Sequence, residues 1–158
     1  MVRIVLAILS GLVLTTLGIV PAMNLAQVDC GTADSLIYPV DMTRYTLMQG
    51  FSVPSPRHHG RYHTGEDYSI PGGAALGEPV AAIGRGVVTY SYSLGWGRDA
   101  GVVVVRHTLP DGTQILSQYG HLTATDDIPF PTIGSCVEQG QIIGAIADVR
   151  PAPHVHLE

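Results

Sequence analysis

Hydrophobic and polar residues alternate over much of the second half of this chain, with the two-residue period of a β-strand. Residues 79–92 are the clearest stretch: Val80, Ile83, Val87, Val88, Tyr90 and Tyr92 are β-branched or aromatic, and Gly84 and Gly86 mark a turn or bulge among them. The segment from Ser93 to Gly101 is a turn-rich loop that holds the single Trp, Trp96. Val102 to Arg106 reads as an apolar strand. Leu109-Pro110-Asp111-Gly112-Thr113 is a hairpin signal with Asp-Gly at its centre, and Gln114 to Tyr119 is the returning strand, delivering His121 just past its end. Another pair of short strands is expected within 136–147, around Glu138-Gln139-Gly140. Many short strands, Gly/Pro turns and no stretch of helical period predict an all-β domain.

The N-terminal pattern is different. Arg3 precedes an apolar run from Ile4 to Val20 with only small or hydroxylated interruptions, the form of a secretory signal, and Val20-Pro21-Ala22 suits cleavage after Ala22. The run falls short of the ~20 residues that span a bilayer, which favours a signal peptide over an uncleaved anchor. An anchor would be the protein's contact with a membrane. Either reading places the rest of the chain outside the cytoplasm, in a periplasm, in a cell envelope or secreted. Asp29 directly before Cys30 argues against a lipoprotein cleavage pattern. Residues 1–22 are therefore set apart as signal or anchor, 23–45 as a lead-in without clear periodicity, and 46–158 as one domain.

Composition narrows the partners. The net charge of −5 offers no basic footprint for nucleic acid. Nor does it favour simple electrostatic attraction to an anionic wall. The two cysteines, Cys30 and Cys136, would pair in an oxidising compartment or stand as separate thiols, and the sequence leaves both open.

Candidate chemistry lies in three short motifs. His63-Thr64-Gly65-Glu66-Asp67 carries an imidazole and a carboxylate four residues apart. Gly60, Gly65 and Pro71-Gly72-Gly73 argue for loops and short strands rather than a helix, and on a strand His63 and Asp67 share a face. With 7 histidines and 13 acids in the chain, such a pair arises readily by chance. His154-Val155-His156 places two imidazoles on one strand face, since Pro151 and Pro153 exclude a helix. On these grounds alone a metal site and two solvated histidines are equally good readings. His58 and His59 are adjacent, would point to opposite sides of a strand, and read as a solvated loop. His107 reads as a structural or surface histidine, and Tyr92 and Trp96, which would suit the lining of a peptide groove but as aromatics of a β domain more often belong to core or sheet surface, are left unassigned.

The third motif, Tyr119-Gly120-His121-Leu122, changes the weighting. With His63…Asp67 before it and His154-Val155-His156-Leu157-Glu158 after it, the chain resembles the lysostaphin-type, or LytM-like, zinc endopeptidases, which cut peptide cross-bridges or stems of bacterial cell walls. Gly77-Glu-Pro-Val-Ala-Ala82, Gly86-Val-Val, Gly95-Trp-Gly97 and Val137-Glu-Gln-Gly-Gln-Ile-Ile-Gly144 also look like this family, so that the resemblance runs over roughly residues 46 to 158. It implies an antiparallel two-sheet β domain of the duplicated-hybrid-motif type, with a groove over the metal. It implies Zn2+ held by His63, Asp67 and His156. His121 and His154 would serve as general base and oxyanion stabiliser, with either assignment open. No His-Glu-x-x-His helix is present to supply a carboxylate base, so a histidine must act instead. By analogy with known zinc sites, Glu158 would orient a ligand ring. The implied partner is peptidoglycan peptide.

Two features depart from the family. Ala152 stands where a Gly usually precedes the Pro of the turn before His-x-His. The family's domains also continue into a further strand, so the domain is expected to be cut short at Glu158 and its last strand to fray. These departures keep a second reading in view, a catalytically inactive wall-binding or regulatory module on the same fold.

Overall fold

The computed structural model describes residues 28–55 and 61–158. The apolar run at 4–20 and the His58-His59 pair lie outside the described residues.

Eleven strands are formed among the described residues: β1 (Thr46–Gln49), β2 (Pro54–Ser55), β3 (Arg61–Tyr62), β4 (Glu66–Ser69), β5 (Pro79–Ala81), β6 (Gly86–Tyr92), β7 (Gly101–Thr108), β8 (Gln114–Thr123), β9 (Cys136–Val137), β10 (Ile142–Ile146) and β11 (Val155–Leu157). The only helical turns described are single 3-10 turns at Pro71–Gly73 and Gly97–Asp99. The predicted all-β class therefore holds. Nine strands join one antiparallel sheet in the order β1-β4-β11-β8-β7-β6-β9, with β10 pairing both β8 and β5, and β2–β3 form a separate ribbon. The predicted hairpin joins β7 to β8, closed by Leu109 N–H to the Thr113 carbonyl at 2.8 Å, with Gly112 at φ 83°. The strands around Glu138-Gly140 form as expected, but each pairs elsewhere: β9 with β6, β10 with β5 and β8.

β8 is the strand on which the domain turns, and it is longer than the sequence implied. It runs on to Thr123, so His121 lies inside it rather than past its end. Gly101 faces Leu122 and Val103 faces Tyr119, so β8 spends three residues where β7 spends two. That extra residue is a bulge. It sits where His121 adopts φ 61°, a left-handed conformation that His tolerates better than most side chains. Because of it, Tyr119 and Leu122, three apart, both enter the core. His121 is turned the other way.

The core is built from Val80, Val88, Val103, Val105, Leu122, Ile143, Ile146 and Val155, all fully or almost fully buried. Burying such side chains contributes about 1.5–3 kcal/mol each. His107 is not at the surface. It lies on the inward face of β7 beside Val103 and Val105, because the strand's alternation leaves it no other side. The segment before β1 has no strand of its own but is strapped on. Cys30 and Cys136 are disulfide-bonded, with Cα atoms 5.5 Å apart. Ala33 N–H donates to Thr108, Ile37 N–H to Ile83, and Ala81 N–H to Pro39.

β11 is the last strand described. It is paired on both sides, with β4 and with β8, and Gln118 and Glu158 exchange backbone hydrogen bonds at 2.9 and 3.0 Å. Two neighbours satisfy donors and acceptors that an edge strand would leave to water.

Candidate metal centre and active site

The register of β4, β11 and β8 builds the site. Asp67 lies opposite His156 across β4–β11, and His156 lies opposite Gly120 across β11–β8. The three fall in one row across the sheet. His63 joins from just before β4. It is not on a shared strand with Asp67, as the spacing suggested; Thr64 and Gly65 are irregular. Its place is fixed by the ribbon instead: Ser52 N–H donates to the His63 carbonyl and His63 N–H to the Val53 carbonyl, both at 2.8 Å.

Three donor atoms meet. His63 Nε2 stands 3.2 Å from Asp67 Oδ1 and 3.0 Å from His156 Nδ1, and His156 Nδ1 is 2.8 Å from Asp67 Oδ1. Atoms bound to one tetrahedral zinc at ~2.0–2.1 Å stand about 3.3 Å from one another, so the triangle is close to that size. Proton accounting gives the same result. His63 Nδ1 faces the Gly50 carbonyl at 3.0 Å, and a carbonyl can only accept. Nδ1 therefore carries the hydrogen and Nε2 a lone pair. His156 Nε2 faces Glu158 Oε1 at 3.1 Å, so its hydrogen goes there and Nδ1 faces inward. Two imidazole nitrogens and a carboxylate oxygen converge on one point. That set fits a divalent cation, for which a proton shared between His156 and Asp67 is the competitor.

The electrostatics follow from burial opposed by contact. Asp67, His63, His154 and His156 are each at most 5% exposed. Burial would raise the Asp67 carboxyl, but the hydrogen bond from His156 and the surrounding imidazoles hold it below its usual range. Burial would likewise lower His156, but Asp67 and Glu158, one on each nitrogen, raise it.

The other two predicted histidines face the same space. His154 lies two residues before His156, on the same side, with Nε2 3.5 Å from Asp67 Oδ2. Its Nδ1 donates to the Ala152 carbonyl at 2.7 Å. The backbone makes this contact, so the Ala in place of the family's Gly does not disturb it. His121 Nδ1 donates to the Asp99 carbonyl at 2.8 Å, and its ring centroid is 4.5 Å from that of His154. In both rings Nδ1 is the nitrogen held by the backbone, and His154 Nε2 faces Asp67. Burial, reinforced by His154 and His156, pushes His121 down to about 4, so it is a neutral imidazole at neutral pH. All five histidine and aspartate candidates line one cleft of about 420 Å³, with Trp96 and Arg150 among its walls.

With this geometry in view, the comparisons with known proteins are specific. The model of peptidase family M23 matches residues 61–158, more than half of the chain. The chain belongs to peptidase family M23. Among solved structures, this M23 domain is similar to a zinc-containing peptidase from Vibrio cholerae, at 26% identity and TM-score 0.58 over 80% of this chain and 36% of that one. The chain thus spans about a third of that relative's length. It is also similar to a variant catalytic domain of the prophage-encoded M23 protein EnpA from Enterococcus faecalis, at 26% identity and TM-score 0.55, covering 77% of this chain and 84% of that one. The catalytic domain of lysostaphin from Staphylococcus simulans shares the fold, at 24% identity and TM-score 0.56, covering 73% and 80%. No curated protein matches the chain.

Several parts of the M23 site were not visible in the sequence. Trp96, left unassigned there, packs edge-on against His121 and His156, with ring centroids 5.1 and 5.3 Å away. It stands directly over Gly120, where a Cβ would come within 2.1 Å of the indole. Gly120 is a strand-interior glycine, a signal of close approach by another group. The backbone carbonyls of Gly50, Asp99 and Ala152 that orient three of the rings carry no sequence signal.

Proposed function

We propose that this M23 hydrolase is an exported zinc metalloendopeptidase that cleaves peptide bonds in the cross-bridges or stems of peptidoglycan. One observation carries the reading: the inward nitrogens of His63 and His156 and one Asp67 oxygen meet within about 3 Å of one another, beside two further imidazoles each held at Nδ1 by a backbone carbonyl. In this reading His63, Asp67 and His156 hold the zinc. Bound there, zinc would polarise a scissile carbonyl and lower the pKa of water.

The chain's own residues do the rest. His154 Nε2, beside Asp67, takes a proton from the attacking water and returns it to the leaving amine. His121, neutral and held by Asp99, presents Nε2 to the developing oxyanion as an N–H donor once protonated, or takes the base role in exchange with His154. Trp96 and the walls of the cleft hold the peptide and limit water. The Cys30–Cys136 bridge supports export, because such bonds persist in oxidising compartments.

The test is zinc stoichiometry on the purified domain, with His156→Ala as control, followed by amine release from isolated peptidoglycan. One zinc per chain, lost in the control, with release of new amino termini, is the expected result. A folded domain without zinc would overturn the reading, and zinc without cleavage would favour an inactive wall-binding module.

A further inference from the structure

The four histidines of the cleft are not held alike. His63, His121 and His154 each give their outer nitrogen to a backbone carbonyl, of Gly50, Asp99 and Ala152. His156 gives its outer nitrogen to a side chain, Glu158, two residues on and on the same side of the chain. Glu158 is itself held from two directions. Its Oε1 also accepts the Thr64 hydroxyl, and its Oε2 accepts Gln118 Nε2 at 2.9 Å. Gly65 makes room for this. A Cβ there would lie 2.2 Å from the Leu157 carbonyl oxygen, 2.7 Å from His156 Nε2 and 2.9 Å from Glu158 Cγ. Any larger residue at 65 would push the Glu158–His156 contact apart.

We propose that Glu158, clamped by Thr64 and Gln118, is the positioning residue that locks His156 in the Nε2–H tautomer with Nδ1 turned to Asp67 and His63. The inference rests on the zinc reading above. Glu158 only accepts, so with the metal on Nδ1 in place of a proton toward Asp67, Nε2 carries the hydrogen. Without Glu158 the neutral ring exchanges tautomers and loses one of the two contacts that set its rotation. Carboxylates that orient ligand imidazoles are worth about 10–100-fold in metal affinity.

The test uses E158A and E158Q in the whole protein, with two readouts. In a chelator competition, E158A should bind zinc about 10–100-fold more weakly, and E158Q, whose amide oxygen accepts the same N–H, should recover most of that. In the zinc-loaded protein, 15N shifts should report a single Nε2–H form of His156 with Nδ1 on the metal in the wild type, and a mixture of Nδ1- and Nε2-bound forms in E158A. A merely structural Glu158 would not change the tautomer. Wild-type zinc affinity or an undisturbed tautomer in E158A would overturn the proposal. Should E158A not fold, Thr64→Val, which removes one clamp, is read by the same two signals. A smaller weakening with tautomer exchange supports the proposal, and no change in either overturns it. A wild type that binds no zinc would sink the zinc reading instead, whereas a wild type that binds zinc and an E158A that binds it equally well would sink only the role of Glu158.

Discussion

His107 on β7 and His156 on β11 flank the same strand, β8, and both are buried, at 0% and 4% exposure. Their environments act in opposite directions. His107 donates from Nδ1 to the Arg85 carbonyl at 2.8 Å, and its Nε2 meets the Ser117 hydroxyl at 2.7 Å, with Tyr119 hydroxyl next in the chain at 2.9 Å. That hydroxyl also accepts Ile83 N–H. Every polar atom has a neutral partner and no carboxylate is among them, so burial pushes the His107 imidazole down, with the Arg85 contact opposing only in part. His156 is buried nearly as well but lies between two carboxylates, and it is pushed up. Burial therefore does not distinguish a site from a core. The distinguishing feature is a ring nitrogen aimed at another ring nitrogen and a carboxylate, an arrangement that requires a cation or a shared proton.

The sharpest way to separate the two regions is to remove histidines one at a time. His154→Ala should lower peptide hydrolysis by about 10²–10⁴-fold while zinc stays bound, since His154 is not among the three donors. Steady-state rates with zinc content measured in parallel check this. Loss of zinc in His154→Ala would break the division of roles between donors and bases. His107→Leu should leave both hydrolysis and zinc affinity unchanged.

Next in size is the staple beyond the sheet. Reducing Cys30–Cys136, which are 106 residues apart, should destabilise the domain by up to about 4–5 kcal/mol in the chain-entropy view. Urea melts with and without reductant measure it. Zinc content at low denaturant should be unaffected, because the bridge ties β9 to the lead-in and touches no site residue.

The smallest effects concern His107 itself. His107→Leu strands the Arg85 carbonyl and leaves the Ser117 hydroxyl with Tyr119, at about 1–3 kcal/mol for the buried group left unpaired. The sign of the pH dependence is set by its lowered pKa. The unfolded chain binds the proton more readily, so this stability is fully present above about pH 6.5 and is lost as pH falls below that value toward the folded pKa. Melting temperature followed from pH 8 to 5 should fall on the acid side in the wild type, and the His107 contribution to that slope should vanish in His107→Leu. Zinc affinity should also weaken on acidification, but for the opposite reason: His156 holds its proton more tightly than usual, and that proton competes with the metal. Proton release on zinc uptake in weak buffer would show it.

Much of this protein was determined by its sequence alone. Alternation in 79–92 and 102–119, the Asp111-Gly112 turn and the absence of helical period fix an all-β chain, because strand period and turn chemistry are local properties. The motifs around His63, Asp67, His121, His154 and His156 name the chemistry through residue types that suit few other tasks in that order. Tertiary structure decided the remainder. The Asp67–His156–Gly120 row depends on how β11 slots between β4 and β8, a register between segments far apart in the chain. The bulge that turns His121 away from the core is visible only against the count on β7. Cys30 met Cys136 because the lead-in packs across β5 and β7, which no local pattern encodes. His107 became core and His156 a candidate donor for one reason: a histidine's role is set by what its two nitrogens face, and sequence lists only the ring.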